Sequence, residues 1–171
     1  MIHVCSLSRL HGVVEETGAE HVVTLIKDVT RVTRPRSILE QNHLILSLDD
    51  IEDELEGMVA PAESHVADLL AFVQRWERRK PIVVHCFAGI SRSTAAAFIT
   101  ACAIQPERNE AEIAQAIRAA SITAQPNPRI VGFGDKLLDR RGRMVEAVRG
   151  IGKGDFGNNW IEEAEPFVIT I

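Results

Sequence analysis

Apolar residues fall in short dense runs separated by longer stretches of mixed polarity. The runs HVVTLI (21–26), HLILSL (43–48) and PIVVHC (81–86) are brief and rich in β-branched residues, the pattern of buried strands. Between the second and third, Val66, Leu69, Leu70, Val73 and Trp76 recur at helical spacing, and Pro61 is suited to open that helix. After Pro106, Asn109 is a helix cap with Glu112 three residues on, and Ile113, Ala116, Ile117 and Ala120 form an apolar stripe. A further helix is expected over roughly 130–148, with Leu137, Leu138, Val145 and Val148 inward. Strands alternating with helices predict an α/β fold with a central, mainly parallel sheet flanked by helices. The Gly-rich GIGKGDFGNN (150–159) reads as a linker. It separates a domain over 1–149 from a tail over 150–171, which fits either an edge strand or a mobile end.

Composition narrows the class. The chain of 171 residues suits one domain with a sizeable core, with 46% apolar and 25% charged residues. A net charge of −5 offers no basic face, so no nucleic-acid partner is expected. No apolar run reaches membrane-spanning length, and the start lacks the basic and apolar regions of a leader peptide. Cys5, Cys86 and Cys102 are odd in number and show no paired spacing, which fits a reducing, cytoplasmic compartment. Cys5 and Cys102 are expected in the core. The chain contains no tyrosine.

The stretch VVHCFAGISRS (83–93) carries the candidate chemistry. A cysteine ends a strand, five residues follow, and an arginine opens an Ala-rich helix. Gly89 permits positive φ and close approach of a ligand. Successive amides in such a loop form an anion-binding nest, to which the helix N-terminus adds partial positive charge. Arg92 presents a planar fork of donors that fits two oxygens of a phosphate-like anion. A thiol among such groups ionises more readily and becomes a nucleophile. Ser93 is placed to donate to the sulfur, and His85 to orient the loop through backbone carbonyls. Taken singly, a cysteine after a strand is ordinarily core and an arginine at a helix start is ordinarily solvated. Their joint spacing favours the functional reading.

HCFAGISRS resembles the phosphate-binding loop of the cysteine-dependent protein tyrosine phosphatase superfamily, and its Ala-Gly-x-Ser-Arg-Ser form is nearest to the dual-specificity branch. The similarity extends over about residues 1–148. It implies a phosphatase-like fold, Cys86 as nucleophile, Arg92 as phosphate clamp and Ser93 as leaving-group helper. Phe87, Ala88, Gly89, Ile90, Ser91 and Arg92 would hold the phosphate. QPNPRIVGF (125–133) is similar to a Pro-Asn segment that opens a late helix in that branch, which implies a bracing role for Asn127. No metal or other cofactor is implied.

Ester cleavage also needs a proton for the departing oxygen. In parallel sheets, ligands gather beyond the carboxyl ends of the strands. The strand 43–48 runs into LDDIEDELEG, which puts Asp50 first among candidate acids, with Asp49 and Asp53 behind it. Acidic runs are also commonly solvated faces. Arg31, Arg34 and Arg36 would lie near the same edge, either attracting an acidic substrate or serving as surface charge. The expected partners are a phosphorylated protein, phosphotyrosine or dual-specificity, or another phosphomonoester, and phosphate-like anions. Two other readings fit part of the pattern: a phosphate-binding module without turnover, and a rhodanese-like sulfurtransferase, whose loop does not require this arginine and serine.

Overall fold

The computed structural model describes residues 1–157 and 162–170. Among them, five strands form one sheet: β1 (Ile2–Ser6), β2 (His21–Leu25), β3 (His43–Leu46), β4 (Ile82–Cys86) and β5 (Phe167–Ile169), in the order β3-β2-β4-β1-β5. The first four are mutually parallel, and β5 runs antiparallel along β1. The α/β architecture with a mainly parallel sheet is as the alternation predicts. β3 is an edge strand, so Ile45 is exposed and the apolar run is only partly buried.

Helices cover both faces. α1 (Leu10–Thr17) turns Leu10, Val13 and Val14 onto one face, against Cys5, Val22 and Val83. It stops at Gly18, whose φ of 63° places it in the left-handed region. The other face carries the larger core under α2 (Glu63–Arg75), α3 (Arg92–Ile104), α4 (Glu110–Ala120), α5 (Pro128–Leu137) and α6 (Arg143–Gly150). In α2, Val66, Leu69, Leu70 and Val73 are buried as their spacing predicts, and Trp76 closes the helix with its indole N–H donating to Lys80 O at 2.9 Å. Each such apolar side chain contributes roughly 1.5–3 kcal/mol through burial.

α3 is the central helix, buried from Ser93 to Cys102. Its alanines let it lie close to its neighbours. At Gly134 in α5 a Cβ would stand 2.5 Å from Ile99 Cγ1, so the packing of α5 on α3 requires hydrogen there. In α4, Asn109 Oδ1 accepts from Ala111 N at 2.8 Å, the expected cap, but Ala114 rather than Ala120 joins Ile113 and Ile117 in the core.

The single helix expected over 130–148 is instead two, α5 and α6. Asp139 and Arg141 take positive φ, 49° and 54°, between them. Tertiary hydrogen bonds hold the break open. Arg140 turns inward, donating to Cys102 O (2.8 Å), Pro106 O (2.8 Å) and Glu110 Oε1 (3.1 Å). Asp135 then accepts from Gly142 N and Met144 N, capping α6. Leu137 is consequently exposed rather than inward.

Because β1 to β4 are parallel, their carboxyl ends share one edge of the sheet. The turn after β1 and the loops after β2, β3 and β4 therefore meet there. β5 is antiparallel, so the residues preceding it arrive at this edge as well.

Candidate active site

Cys86 ends β4, with Ser6 as its register partner on β1. Its sulfur is 1% exposed by residue and receives two groups: Ser93 Oγ lies 3.2 Å away, and Gly89 N donates at 3.3 Å. The loop 87–91 bends over the end of β1. Gly89 takes φ 75°, and a Cβ there would stand 2.9 Å from Cys5 C and Ser6 N, so both conformation and space select glycine.

The loop's carbonyls are held from outside. Leu7 N donates to Phe87 O (3.1 Å), Ala164 N to Ala88 O (2.8 Å), Gln125 N to Ile90 O (2.9 Å) and Asn127 N to Ser91 O (3.3 Å). Thr94 Oγ1 adds bonds to Ile90 O (2.6 Å) and Ser91 O (2.8 Å). In a planar trans peptide the N–H points opposite to the C=O. Holding the carbonyls outward therefore aims the amides of Ala88, Gly89, Ser91 and Arg92 into the concavity above Cys86. α3 begins at Arg92 and adds its N-terminal field.

The Arg92 side chain is nearly buried. Nη1 donates to Leu48 O at 3.0 Å, and Nε lies 3.7 Å from Asp50 Oδ2. Among the described residues Nε has no hydrogen-bond partner, an orphaned buried donor beside the loop. The site therefore has donor capacity in excess of its protein acceptors, which an oxyanion would fill.

Asp50 leans onto the loop. Its Oδ1 accepts from Ser91 Oγ (2.8 Å) and from Asn127 Nδ2 (2.9 Å). Asn127, 3% exposed, also caps α5 by accepting from Ile130 N at 3.1 Å. Asp49 is tied down elsewhere, by Val59 N (2.7 Å) and Lys27 Nζ (3.0 Å). Burial pushes the Asp49 carboxyl up, but these partners outweigh it and hold it below the usual carboxylate range. Asp53 is exposed. Asp50 is thus bonded to the loop and lies 3.7 Å from Arg92, whereas the Asp49 carboxylate is taken up by Val59 N and Lys27.

His85 is fully buried on the opposite face of β4. It meets a hydroxyl: Thr24 Oγ1 lies 2.7 Å from its Nε2 and 2.8 Å from His43 Nε2. One hydroxyl proton serves only one ring, so Thr24 donates to one histidine and accepts from the other, and the two rings hold different tautomers. Burial pushes the His85 pKa down to about 4, so the ring is neutral.

Of the three arginines, Arg31 reaches the loop, its guanidinium carbon 5.9 Å from the Phe87 ring centroid. Arg34 instead turns back to Ile38 O. Phe87 is 53% exposed at the rim. Cys5 and Cys102 are buried core residues, and burial pushes both thiols up to about 12. Sequence reasoning missed Arg129, which spans the loop after β3 by donating to Pro61 O (2.7 Å), Glu52 O (3.0 Å) and Glu54 Oε1 (3.1 Å). It also missed Thr94, Leu7 and Ala164, two of which act through backbone amides and leave no side-chain signal. Among the described residues there is no cluster of three His, Cys, Asp or Glu side chains suited to a metal, and no helix long and apolar enough to cross a membrane.

Residues 56–125 match the family model described as protein-tyrosine phosphatase. The fold resembles the crystal structure of DUSP15, at 18% identity over 92% of this chain and 94% of that one, TM-score 0.62. It also resembles human DUSP28, at 16% identity over 82% and 92%, TM-score 0.63. PTPMT1 in complex with PI(5)P aligns at 14% identity over 82% and 91%, TM-score 0.62. No curated protein sequence matches the chain. The fold is that of these phosphatase structures, and the matched segment, which contains the loop from Cys86 to Ser93, is similar to the protein-tyrosine phosphatase family model.

Proposed function

We propose that the protein is a phosphomonoester hydrolase acting through a phosphocysteine on Cys86, with a phosphorylated protein side chain as substrate. The observation that carries this reading is the sulfur of Cys86 lying beneath the loop 87–91, bonded by the Gly89 amide and 3.2 Å from the Ser93 hydroxyl. The orphaned donor of Arg92 beside it supports an oxyanion site.

In this mechanism the phosphoryl oxygens sit against the loop amides and Arg92. The Cys86 thiolate attacks phosphorus, so an S–P bond forms as the ester P–O bond breaks. Asp50 gives its proton to the departing oxygen. Water then attacks the phosphocysteine and returns a proton to Asp50, and the S–P bond breaks with Ser93 donating to the leaving sulfur. Atoms and charge balance without a further reactant. Preorganised donors aimed at developing charge supply most of such an acceleration. Asp50 must release Ser91 or Asn127 in part to reach the leaving oxygen, a small adjustment for an exposed loop residue. The exposed Phe87 with Arg31 beside it suits a flat or acidic phosphorylated side chain at the rim.

The test is p-nitrophenyl phosphate turnover against pH, repeated with a phosphopeptide, for wild type, Cys86→Ser and Asp50→Asn. Cys86→Ser is expected to abolish turnover. Asp50→Asn is expected to lower kcat by about 10²–10⁴-fold on the peptide, less on the aryl ester, and to remove the basic limb of the profile. Wild type that binds phosphate without turnover overturns the hydrolase reading.

A further inference from the structure

We propose that the C-terminal segment is a positioning part of the anion-binding loop, and that the Ala164 amide sets the Ala88–Gly89 peptide toward Cys86; this rests on the reading of Cys86 given above. The residues before β5 reach the carboxyl edge of the sheet because β5 pairs antiparallel with β1, Val4 opposite Phe167 and Ile2 opposite Ile169. There Ala164, 3% exposed, donates its N–H to Ala88 O at 2.8 Å. The same peptide unit offers its other side, the Gly89 N–H, to Cys86 Sγ at 3.3 Å. The peptide is trans and planar, so fixing the carbonyl fixes the amide.

The loop's four outward carbonyls are not equivalent. Those of Phe87, Ile90 and Ser91 are held by the turn after β1 and by the segment leading into α5, whereas that of Ala88 is held by the tail. It is also the carbonyl of the peptide whose N–H donates to the sulfur. The tail is latched on both sides of Ala164. Ser8 Oγ donates to Glu163 Oε2 at 2.6 Å and lies 3.0 Å from Ser6 Oγ, and Arg9 lies 3.7 Å from Glu165. The hydroxyls of Ser8 and Ser6 hold Glu163 below its usual range, which keeps it an acceptor at neutral pH. Gly89 cannot swing away freely, because the backbone of Cys5 and Ser6 lies directly beneath it. The freedom left to this peptide is rotation of its plane, and the Ala164 bond removes it.

Ala164→Pro deletes the N–H and Ala164→Gly keeps it. Both are compared with wild type by circular dichroism melting, by alkylation of Cys86 with iodoacetamide at pH 6, by protection of Cys86 with inorganic phosphate, and by kcat and KM on p-nitrophenyl phosphate. Ala164→Pro is expected to slow alkylation, weaken phosphate protection and lower kcat/KM, each by at least about tenfold, the scale of a misdirected donor. Ala164→Gly should stay within about twofold of wild type on the same readouts. A folded Ala164→Pro protein with wild-type alkylation and phosphate protection overturns the proposal. Should Ala164→Pro fail to fold, Glu163→Ala, which opens the latch and leaves β5 intact, decides: weakened phosphate protection supports the clip and unchanged protection overturns it. Alkylation does not require turnover, so an inactive wild type sinks the hydrolase reading while the clip is still tested, and an active wild type with an unaltered Ala164→Pro sinks the clip alone.

Discussion

Asn127 joins Asp50 to the start of α5: its Nδ2 donates to Asp50 Oδ1 at 2.9 Å while its Oδ1 accepts from Ile130 N at 3.1 Å. One side chain thus performs a structural and a positioning task, and two substitutions separate them. Asn127→Ala loses both, with about 1 kcal/mol of cap stability and a drop in kcat. Asn127→Asp keeps the cap acceptor but removes the donor and sets a second carboxylate against Asp50. It is expected to melt near wild type yet lower kcat by about tenfold, since a hydrogen bond to a charged group contributes roughly 1.5–3 kcal/mol. Melting curves beside steady-state kinetics check this; equal losses of stability for both variants would contradict it.

Gly89→Ala should injure the site and the fold together. The left-handed conformation costs a non-glycine residue roughly 1–2 kcal/mol, or about 2–8 °C in Tm for a chain of this size. The contact with β1 adds to that. Phosphate protection of Cys86 should fall along with Tm, because relieving the clash moves the amide that faces the sulfur.

Much of the fold is legible because its signals are local. β2, β4, α2 and α4 are short runs whose buried faces repeat at strand or helix period. Cys86 to Ser93 is a contiguous stretch, so one loop and one helix start bring its groups together, while the donors that hold its carbonyls come from distant segments. The break between α5 and α6 falls on Asp139 to Gly142, where the apolar spacing lapses, but its geometry is set at a distance, by Arg140 being drawn to Glu110 and two carbonyls. Asp50, Asn127 and Arg129 meet only in three dimensions. Ala164 acts through a backbone N–H, which any residue but proline supplies, so no pattern of side chains could mark it.

His85 gives the protein an acid-side stability slope. Its folded pKa is about 4 against 6.5 unfolded, because burial disfavours the charged ring. The unfolded chain therefore binds the extra proton first. The stabilisation is complete above pH 6.5 and is lost as pH falls toward 4, by about 3 kcal/mol. His3, His21, His43 and His65 are lowered in the same direction, also chiefly by burial. Denaturant midpoints at pH 7 and pH 4.5 should differ accordingly, and His85→Gln should flatten the slope. A midpoint constant over this range would contradict the buried neutral ring.

The most direct test is to stop the reaction between its two halves. Ser93→Ala leaves Cys86, Arg92 and Asp50 in place but removes the hydroxyl 3.2 Å from the sulfur. The S–P bond should then form faster than it breaks. Mixed with p-nitrophenyl phosphate and quenched in acid, this variant should release a burst of nitrophenol and carry a phosphoryl mass adduct on the peptide containing Cys86, absent from Cys86→Ser. Turnover with no adduct on Cys86, or with the adduct on another residue, would contradict a phosphocysteine mechanism.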